Sequence, residues 1–151
     1  MKPTFLIDTD TASDDAVALI MALRSADIRV LAITAVAVRD FAAIIIIGGR
    51  APEYLRNDAS MISLVREFDD HNKYVCAIGH GIQVLAAAGL MRGKTVTGHP
   101  HVMVEIEHAG GTYADKPMVR DGRMISARGS QAHPEFYREL FGLLERDTPR
   151  V

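Results

Sequence analysis

The sequence predicts an α/β sandwich of three layers around a mainly parallel sheet. Strand-like segments alternate with helix-like segments along the chain, which is typical of parallel strands joined by helical crossovers. Several strand-like segments are apolar at every position, as strands are when helices cover both faces of a sheet. With 151 residues, 48% of them hydrophobic and 24% charged, the chain can form a sizeable core, and we expect one domain over residues 1–151.

The first part of the chain, residues 1–37, has the pattern of a strand–helix–strand unit. Thr4–Asp8 is an apolar strand that ends in an acidic residue. Ser13 is placed to cap a helix that runs to about Ser25, and the acidic residues after it suit the first turn, where the helix dipole favours negative charge. Ile28–Ala37 follows as a second buried strand.

The middle of the chain continues this alternation. Ala42–Ile47 is a strand whose uninterrupted isoleucines indicate burial on both faces. A helix over Ser60–Phe68 and a strand over Tyr74–Ile78 come next. A further helix over Gly81–Ala88 ends at Gly89, since glycine is the usual residue just beyond a helix C-terminus.

Shorter elements complete the fold. Asp121-Gly122 predicts a tight hairpin turn, and Pro134 suits the N-terminus of a final helix. The remaining elements are strands at Thr95–Thr97, Thr112–Tyr113, Met118–Arg120 and Met124–Ala127, a helix at Val102–His108, and a final helix that buries Phe136, Leu140, Phe141 and Leu144. With right-handed crossovers, this order predicts a flavodoxin-like (Rossmann-like) sandwich.

Composition excludes several classes of function. A net charge of −2 gives no electrostatic reason to expect a nucleic-acid partner. No apolar run reaches the roughly 18 residues of a membrane span, and the N-terminus lacks a signal-peptide pattern. A single cysteine cannot form an internal disulfide, so we expect a cytoplasmic protein whose ligand is a small molecule or an ion.

Four carboxylates follow the first strand within eight residues: Asp8, Asp10, Asp14 and Asp15. They repel one another unless a cation lies among them, and hard oxygen ligands suit Ca²⁺ or Mg²⁺. The alternative is that Asp14 and Asp15 only stabilise the helix N-terminus while the other two remain solvated.

Residues 4–37 resemble the start of the nucleoside hydrolases through the segments DTDTASDDAVALIMAL and VLAITAVA. The resemblance implies that Asp10 and Asp15, with Asp8 beside them, hold a Ca²⁺ ion and that Asp14 contacts a ribose. That family continues with Gly-Asn, where this chain has Val38 and Arg39. Nothing later in the chain resembles the family's remaining ligands, so we expect a weak Ca²⁺ site at most, no other cofactor, and no glycosidic hydrolysis.

Residues 41–151 resemble the ThiJ/PfpI family, through IIIIGGRAPEYLR, VCAIGHGIQ and later segments up to about residue 145. The resemblance implies a strand-to-helix elbow that carries a nucleophilic cysteine followed by a histidine. Here Gly79 occupies the cysteine position and His80 follows it. Gly48 and Gly49 match the turn whose N–H groups bind a developing oxyanion. The resemblance also implies a homodimer.

The elbow is incomplete as a catalytic site, because Gly79 supplies no nucleophile. The family's partner glutamate is also absent, since residues 4–37 replace the segment that carries it. Cys76 lies inside a strand and is expected to be a buried structural thiol. His80 is either a structural or a functional residue, and His99 with His101 lacks the carboxylate of a zinc site.

The two resemblances meet at residues 37–41. They predict an engineered chimera, a stable scaffold with no intact native active site. Two alternatives remain open. One is a weak or redesigned hydrolase that uses His80 and the acidic loop. The other is a binding module, in which the acidic loop and the turns at Gly48 and Gly79 form a cleft for a small cation or anion.

Overall fold

The computed structural model describes residues 4–8, 29–31 and 38–147. Its strands are β1 (Thr4–Asp8), β2 (Arg29–Leu31), β3 (Ala43–Ile46), β4 (Tyr74–Ile78), β5 (Thr95–Val96), β6 (Thr112–Tyr113), β7 (Met118–Asp121) and β8 (Met124–Ala127). Its α-helices are α1 (Ala51–Leu55), α2 (Ala59–Asp70), α3 (Ile82–Ala87), α4 (Met103–His108) and α5 (His133–Asp147). Four 3₁₀ turns cover Val38–Asp40, Gly79–Gly81, Pro100–Val102 and Ser130–Ala132.

Six strands form one sheet in the order β2-β1-β3-β4-β8-β7. All neighbours are parallel except β7, which runs antiparallel to β8 at one edge. The five parallel strands lie in the order β2-β1-β3-β4-β8. When β8 is counted as the fifth parallel strand, this is the 2-1-3-4-5 order of flavodoxin-like folds, so the predicted fold is confirmed. Because β1 pairs with β3, with Asp8 opposite Ile46, the two sides of the junction at residues 37–41 share this sheet.

Helices cover both faces of the sheet, and the central strands alternate between two cores. Ile44 and Ile46 pack with Phe68 of α2 and Leu85 of α3 on one face. On the other face, Ile45 packs with a core to which α5 contributes Phe136, Tyr137, Leu140, Leu143 and Leu144. This alternation explains why β3, β4 and β8 are largely apolar, since every residue in them is buried. Ser126 of β8 is a polar exception, and its hydroxyl oxygen accepts a hydrogen bond from the Thr97 N–H at 2.9 Å.

Several predicted elements need correction. The five-residue helix α1 was not predicted, although Pro52 suits its first turn. The helix after β4 begins at Ile82, because Gly79–Gly81 forms a 3₁₀ turn. The hairpin turn is one residue later than predicted. Asp121 pairs with Met124 in the ladder, so Gly122, with φ 64, is the first central residue of the turn, where a type II′ turn favours glycine.

In the part of the chain that the structure describes, no helix combines the length and the apolar character that crossing a membrane would require. The predicted helix over residues 13–25 lies outside the described residues, as does most of the predicted second strand beyond Leu31. Dimerisation and the cytoplasmic location stay predictions.

Candidate functional site

A cavity of about 100 Å³ lies at the carboxyl ends of β3, β4 and β8. In α/β sheets this edge is where ligands bind, because the loops that follow neighbouring strands meet there. Five stretches of chain line the cavity: Ile47–Gly49, Ile78–His80, His99, Arg128–Ser130 and His133. The structure therefore brings together all four residues that the sequence assigned to the elbow and its oxyanion turn.

Gly79 forms the apex of the elbow between β4 and the 3₁₀ turn that precedes α3. Its φ of 59° lies in the left-handed region, which glycine adopts without steric cost. A Cβ atom built on Gly79 would meet one neighbour within 4 Å, the Arg128 carbonyl oxygen at 3.6 Å. There is thus room for a side chain at the vacated nucleophile position, but this chain places none there.

The Gly48-Gly49 turn packs directly against the elbow. A Cβ atom on Gly48 would lie 2.9 Å from the Ile78 carbonyl oxygen and 3.3 Å from the His80 nitrogen. Glycine is therefore required at residue 48 for the backbones to approach this closely. Gly49 adopts φ 86. The two glycines reach the edge of the same cavity as Gly79, as the resemblance implied.

Three histidines form a contiguous group at the cavity, and we call His80, His99 and His101 the histidine stack. The His80 and His99 rings stack at 4.5 Å between centroids with planes 23° apart. His101 meets His99 edge-on, also at 4.5 Å. The backbone holds His99 in place, since its N–H donates to the Gly79 carbonyl oxygen at 3.4 Å.

The central histidine is biased toward its neutral form. Partial burial lowers the pKa of His99, and the neighbouring His80 and His101 lower it further, because each disfavours a second positive charge. The His101 backbone N–H donates to His99 Nδ1 at 3.3 Å. Nδ1 is therefore an acceptor, which places the proton of neutral His99 on Nε2.

The histidine stack is not arranged as a metal site. The nearly parallel rings of His80 and His99 direct their lone pairs into nearly parallel planes, whereas a metal ion needs lone pairs that converge. No group of three His, Cys, Asp or Glu residues among those described could hold a metal ion. The predicted calcium ligands Asp10 and Asp15, and the predicted ribose contact Asp14, lie outside the described residues. The backbone of Asp8 ends β1, and the weak Ca²⁺ site stays a prediction.

Cys76 cannot replace the missing nucleophile. It is fully buried in β4, in the core covered by α5. Burial raises the pKa of the Cys76 thiol far above its ordinary value, which disfavours the thiolate form that attacks a substrate. The prediction that Cys76 is a buried structural thiol is confirmed.

The segment after β8 lines the cavity but was not predicted as part of the site. Arg128, whose guanidinium contacts Asp115, precedes Gly129 and Ser130, and the buried His133 begins α5. A signal was present in the sequence, since parallel pairing of β4 with β8 would bring this loop beside the elbow. That pairing could not be deduced from segments about 50 residues apart.

Known relatives share this architecture. The sequence model of the DJ-1/PfpI family matches residues 6–143. The chain is similar to protein DJ-1 homolog D of Arabidopsis thaliana, at 40% identity over 106 residues that cover 68% of this chain and 27% of the relative. It is 33% identical to protein/nucleic acid deglycase 2 of Escherichia coli over 106 residues, which cover 70% of this chain and 62% of the relative. The chain thus spans less than two thirds of either relative's length.

A solved structure gives the same result for the fold. A two-domain protein of Anabaena variabilis, with DJ-1/ThiJ/PfpI-like and ferritin-like domains, superposes with a TM-score of 0.85 at 25% identity. The alignment covers 94% of this chain and 47% of that protein. The family match runs through residues 37–41, and the comparisons give no support for a nucleoside-hydrolase-like unit or an engineered chimera. The chain belongs to the DJ-1/PfpI family.

Proposed function

We propose that the protein binds small carboxylates or related oxyanions at the elbow without forming a covalent bond to them. The observation that carries this proposal is glycine at the apex of an otherwise assembled elbow. Gly79 keeps the left-handed backbone and faces the same cavity as the Gly48-Gly49 turn. A site of this shape retains backbone N–H groups that can bind an oxyanion. It lacks the nucleophilic atom that would attack the carbon of the bound ligand.

The charge of the cavity supports an anionic ligand. The ionisable side chains among its described lining residues are His80, His99, Arg128 and His133, and none of these described residues is acidic. The cavity also adjoins the N-terminus of the 15-residue helix α5, where the helix dipole favours negative charge. A cation would find few ligands in this described part of the site.

The size of the cavity limits the ligand. An apolar cavity of about 150 Å³ holds benzene, which has six heavy atoms. By the same scale, the cavity of about 100 Å³ accommodates roughly four or five heavy atoms. Acetate and glyoxylate have this size and carry the carboxylate that the lining favours.

The proposal is tested by amide NMR with acetate and its neutral isostere acetamide as matched probes. We expect acetate to shift the Gly48, Gly49 and Gly79 amide signals in a saturable way, and acetamide to leave them nearly unmoved. Equal responses to the two probes would show that the cavity does not select for charge. If neither probe moves these signals, the inert scaffold predicted from the sequence is the better description.

A hydrolase that uses His80 is the second candidate. It is favoured by the place of His80 beside Gly79 in the cavity lining, since an imidazole can act as a general base, and by relatives whose names include deglycase. We expect the ester 4-nitrophenyl acetate to be hydrolysed equally by wild type and His80→Ala. His108→Ala, which changes an exposed histidine of α4 outside the lining, is the control. A rate loss confined to His80→Ala would establish the hydrolase instead.

A further inference from the structure

The histidine stack is larger than an oxyanion site requires, because only two of its three rings line the cavity. His101 lies outside the lining and meets the His99 ring edge-on. We propose that the stack couples anion binding to proton uptake, so that the site holds its ligand in acid and releases it as the pH rises. This inference rests on the proposed function and adds its regulation.

The geometry of the stack limits its charge. Centroid separations of 4.5 Å place neighbouring imidazoles within the range where one positive charge strongly opposes a second. The lowered pKa of His99 has this origin in part. Without a ligand, burial and the two neighbouring imidazoles therefore disfavour protonation of His99.

The other charges at the site do not relieve this repulsion. The cavity lining also includes His133 at the start of α5 and Arg128 after β8, and the Arg128 guanidinium has the same sign as a protonated imidazole. Asp115 contacts the Arg128 guanidinium and so offsets that charge, but it is not among the residues that line the cavity. Among the described residues, the lining supplies no carboxylate to hold a proton on the stack.

A bound carboxylate reverses this balance. Its negative charge lies beside His80 and His99 and favours the protonated form of the stack, so a proton moves from solvent onto an imidazole as the anion enters. Linkage makes the effect reciprocal, because the factor by which the anion raises the stack's proton affinity is also the factor by which the proton raises the anion's affinity. A rise of about one unit in the pKa of the stack corresponds to about tenfold tighter binding.

The direction of the pH dependence follows. Below the pKa of the free stack the site is protonated with or without ligand, and affinity is highest and constant. Between the pKa of the free stack and the higher pKa of the bound stack, affinity falls with rising pH because binding takes up a proton. Above the pKa of the bound stack, affinity is lowest and again constant.

The experiment is an acetate titration of the whole chain at pH values from 5.5 to 8.5, in which acetate stays an anion. The dissociation constant comes from the Gly48, Gly49 and Gly79 amide signals, and the imidazole signals report protonation in the same samples. We expect the dissociation constant to be about tenfold larger at pH 8.5 than at pH 5.5, and saturating acetate to raise the pKa of the stack by about one unit.

Histidine variants test which imidazole takes up the proton when acetate binds. His99→Gln removes the central ring of the stack, so the pH dependence of the dissociation constant should flatten. His101→Gln, at an exposed edge of the stack outside the cavity lining, removes a neighbour that lowers the pKa of His99. Acetate should therefore still bind, and its affinity should fall at a higher pH than in wild type. The matched control His108→Gln should behave as wild type, because His108 is exposed on α4 away from the cavity lining.

Failure of this inference and failure of the proposed function give different results. Acetate binding with a pH-independent dissociation constant would overturn the coupling and leave the binding function intact. A fall in affinity whose midpoint pH is unchanged in both His99→Gln and His101→Gln would also overturn it, since the proton would then reside outside the stack. Absence of any amide shift at every pH would overturn the proposed function, and the coupling with it.

Discussion

The two ends of β4 differ in how their polar groups are used. At its first residue, the Tyr74 hydroxyl donates to an Asp147 carboxylate oxygen at 2.9 Å. The Arg123 guanidinium donates to the same oxygen at 2.7 Å and lies 4.7 Å above the Tyr74 ring. These three side chains thus satisfy one another and tie α5 to the sheet. At the other end, the strand runs into Gly79, and the groups around it face a cavity.

The difference separates stability from function along a single strand. The Tyr74 end consists of contacts within the chain and leaves little for a ligand to add. At the elbow end, Gly48, Gly79 and Gly81 let the backbone pack closely. The imidazoles and the Arg128 side chain there line the cavity. In parallel α/β sheets the carboxyl edge serves binding because connecting loops converge there. Substitutions at the two ends should therefore have separable effects.

The largest expected effect is on the packing under the elbow. A Cβ atom on Gly81 would lie 2.2 Å from the Ile46 carbonyl oxygen and 2.9 Å from its carbonyl carbon, which are backbone atoms of β3 that cannot turn away. We expect Gly81→Ala to lower the free energy of unfolding by about 3 kcal/mol and Tm by roughly 6–12 °C. Urea unfolding and calorimetry measure both quantities.

Gly142→Ala is the matched control for this prediction. Gly142 lies inside α5, and outside the helix backbone a Cβ there would approach Arg146 Nη1 most closely, at 4.0 Å. Alanine is favoured over glycine in helices, so this change should raise stability by about 0.5–1 kcal/mol. If the two variants had equal stabilities, close backbone packing at the elbow would not be a constraint on the fold.

Gly79→Cys, made in a Cys76→Ala background, should lower stability by less than Gly81→Ala does. It should also introduce a reactive thiol at the elbow. The left-handed φ of 59° should cost about 1–2 kcal/mol, as it should in Gly79→Ala. The new thiol lies beside the histidine stack, and a nearby protonated imidazole lowers a thiol's pKa. We expect its alkylation by iodoacetamide to follow a pKa below about 8.5. A pKa at or above that value would mean that the elbow no longer activates a thiol.

The central sheet was predictable because the apolar pattern of each strand agrees with the burial that the whole fold imposes on it. The predicted bounds of Tyr74–Ile78 and Met124–Ala127 match the structure, since burial on two faces selects mainly apolar residues, with the buried Ser126 as a polar exception in β8. Helix α1 could not be predicted in the same way. Five residues beginning Ala51-Pro52 are too short to display a helical period, and the helix depends on contacts with the elbow region.

The candidate site was predicted only where the chain is locally distinctive. Gly48, Gly49, Gly79 and His80 stand in recognisable turns, and the structure brings them together. The contact between His80 and His99 could not be deduced, because it depends on how the loop after β5 returns to the elbow. The cavity role of Ser130 depends likewise on β8 pairing with β4. In both cases tertiary pairing, which a single sequence does not display, completes the site.

The smallest effect is expected at the Tyr74 end. The Asp147 side chain is 42% exposed, so Asp147→Asn should lower the free energy of unfolding by only about 0.5 kcal/mol and leave acetate binding unchanged. Hydrogen bonds from Tyr74 and then Arg123 lower the pKa of Asp147. Its contribution is therefore present above the unfolded value of about 3.9 and is lost as pH falls through the lower folded pKa.

Urea unfolding at pH 7, 4.5 and 3 checks this dependence. The difference between wild type and Asp147→Asn should be constant from pH 7 to 4.5 and shrink at pH 3. Asp70→Asn is the control, because it neutralises an exposed acid at the C-terminus of α2, where the helix dipole disfavours negative charge, and it should stabilise slightly. A change in acetate affinity in Asp147→Asn would contradict the separation of the two ends, because this carboxylate would then act on the cavity through the length of β4.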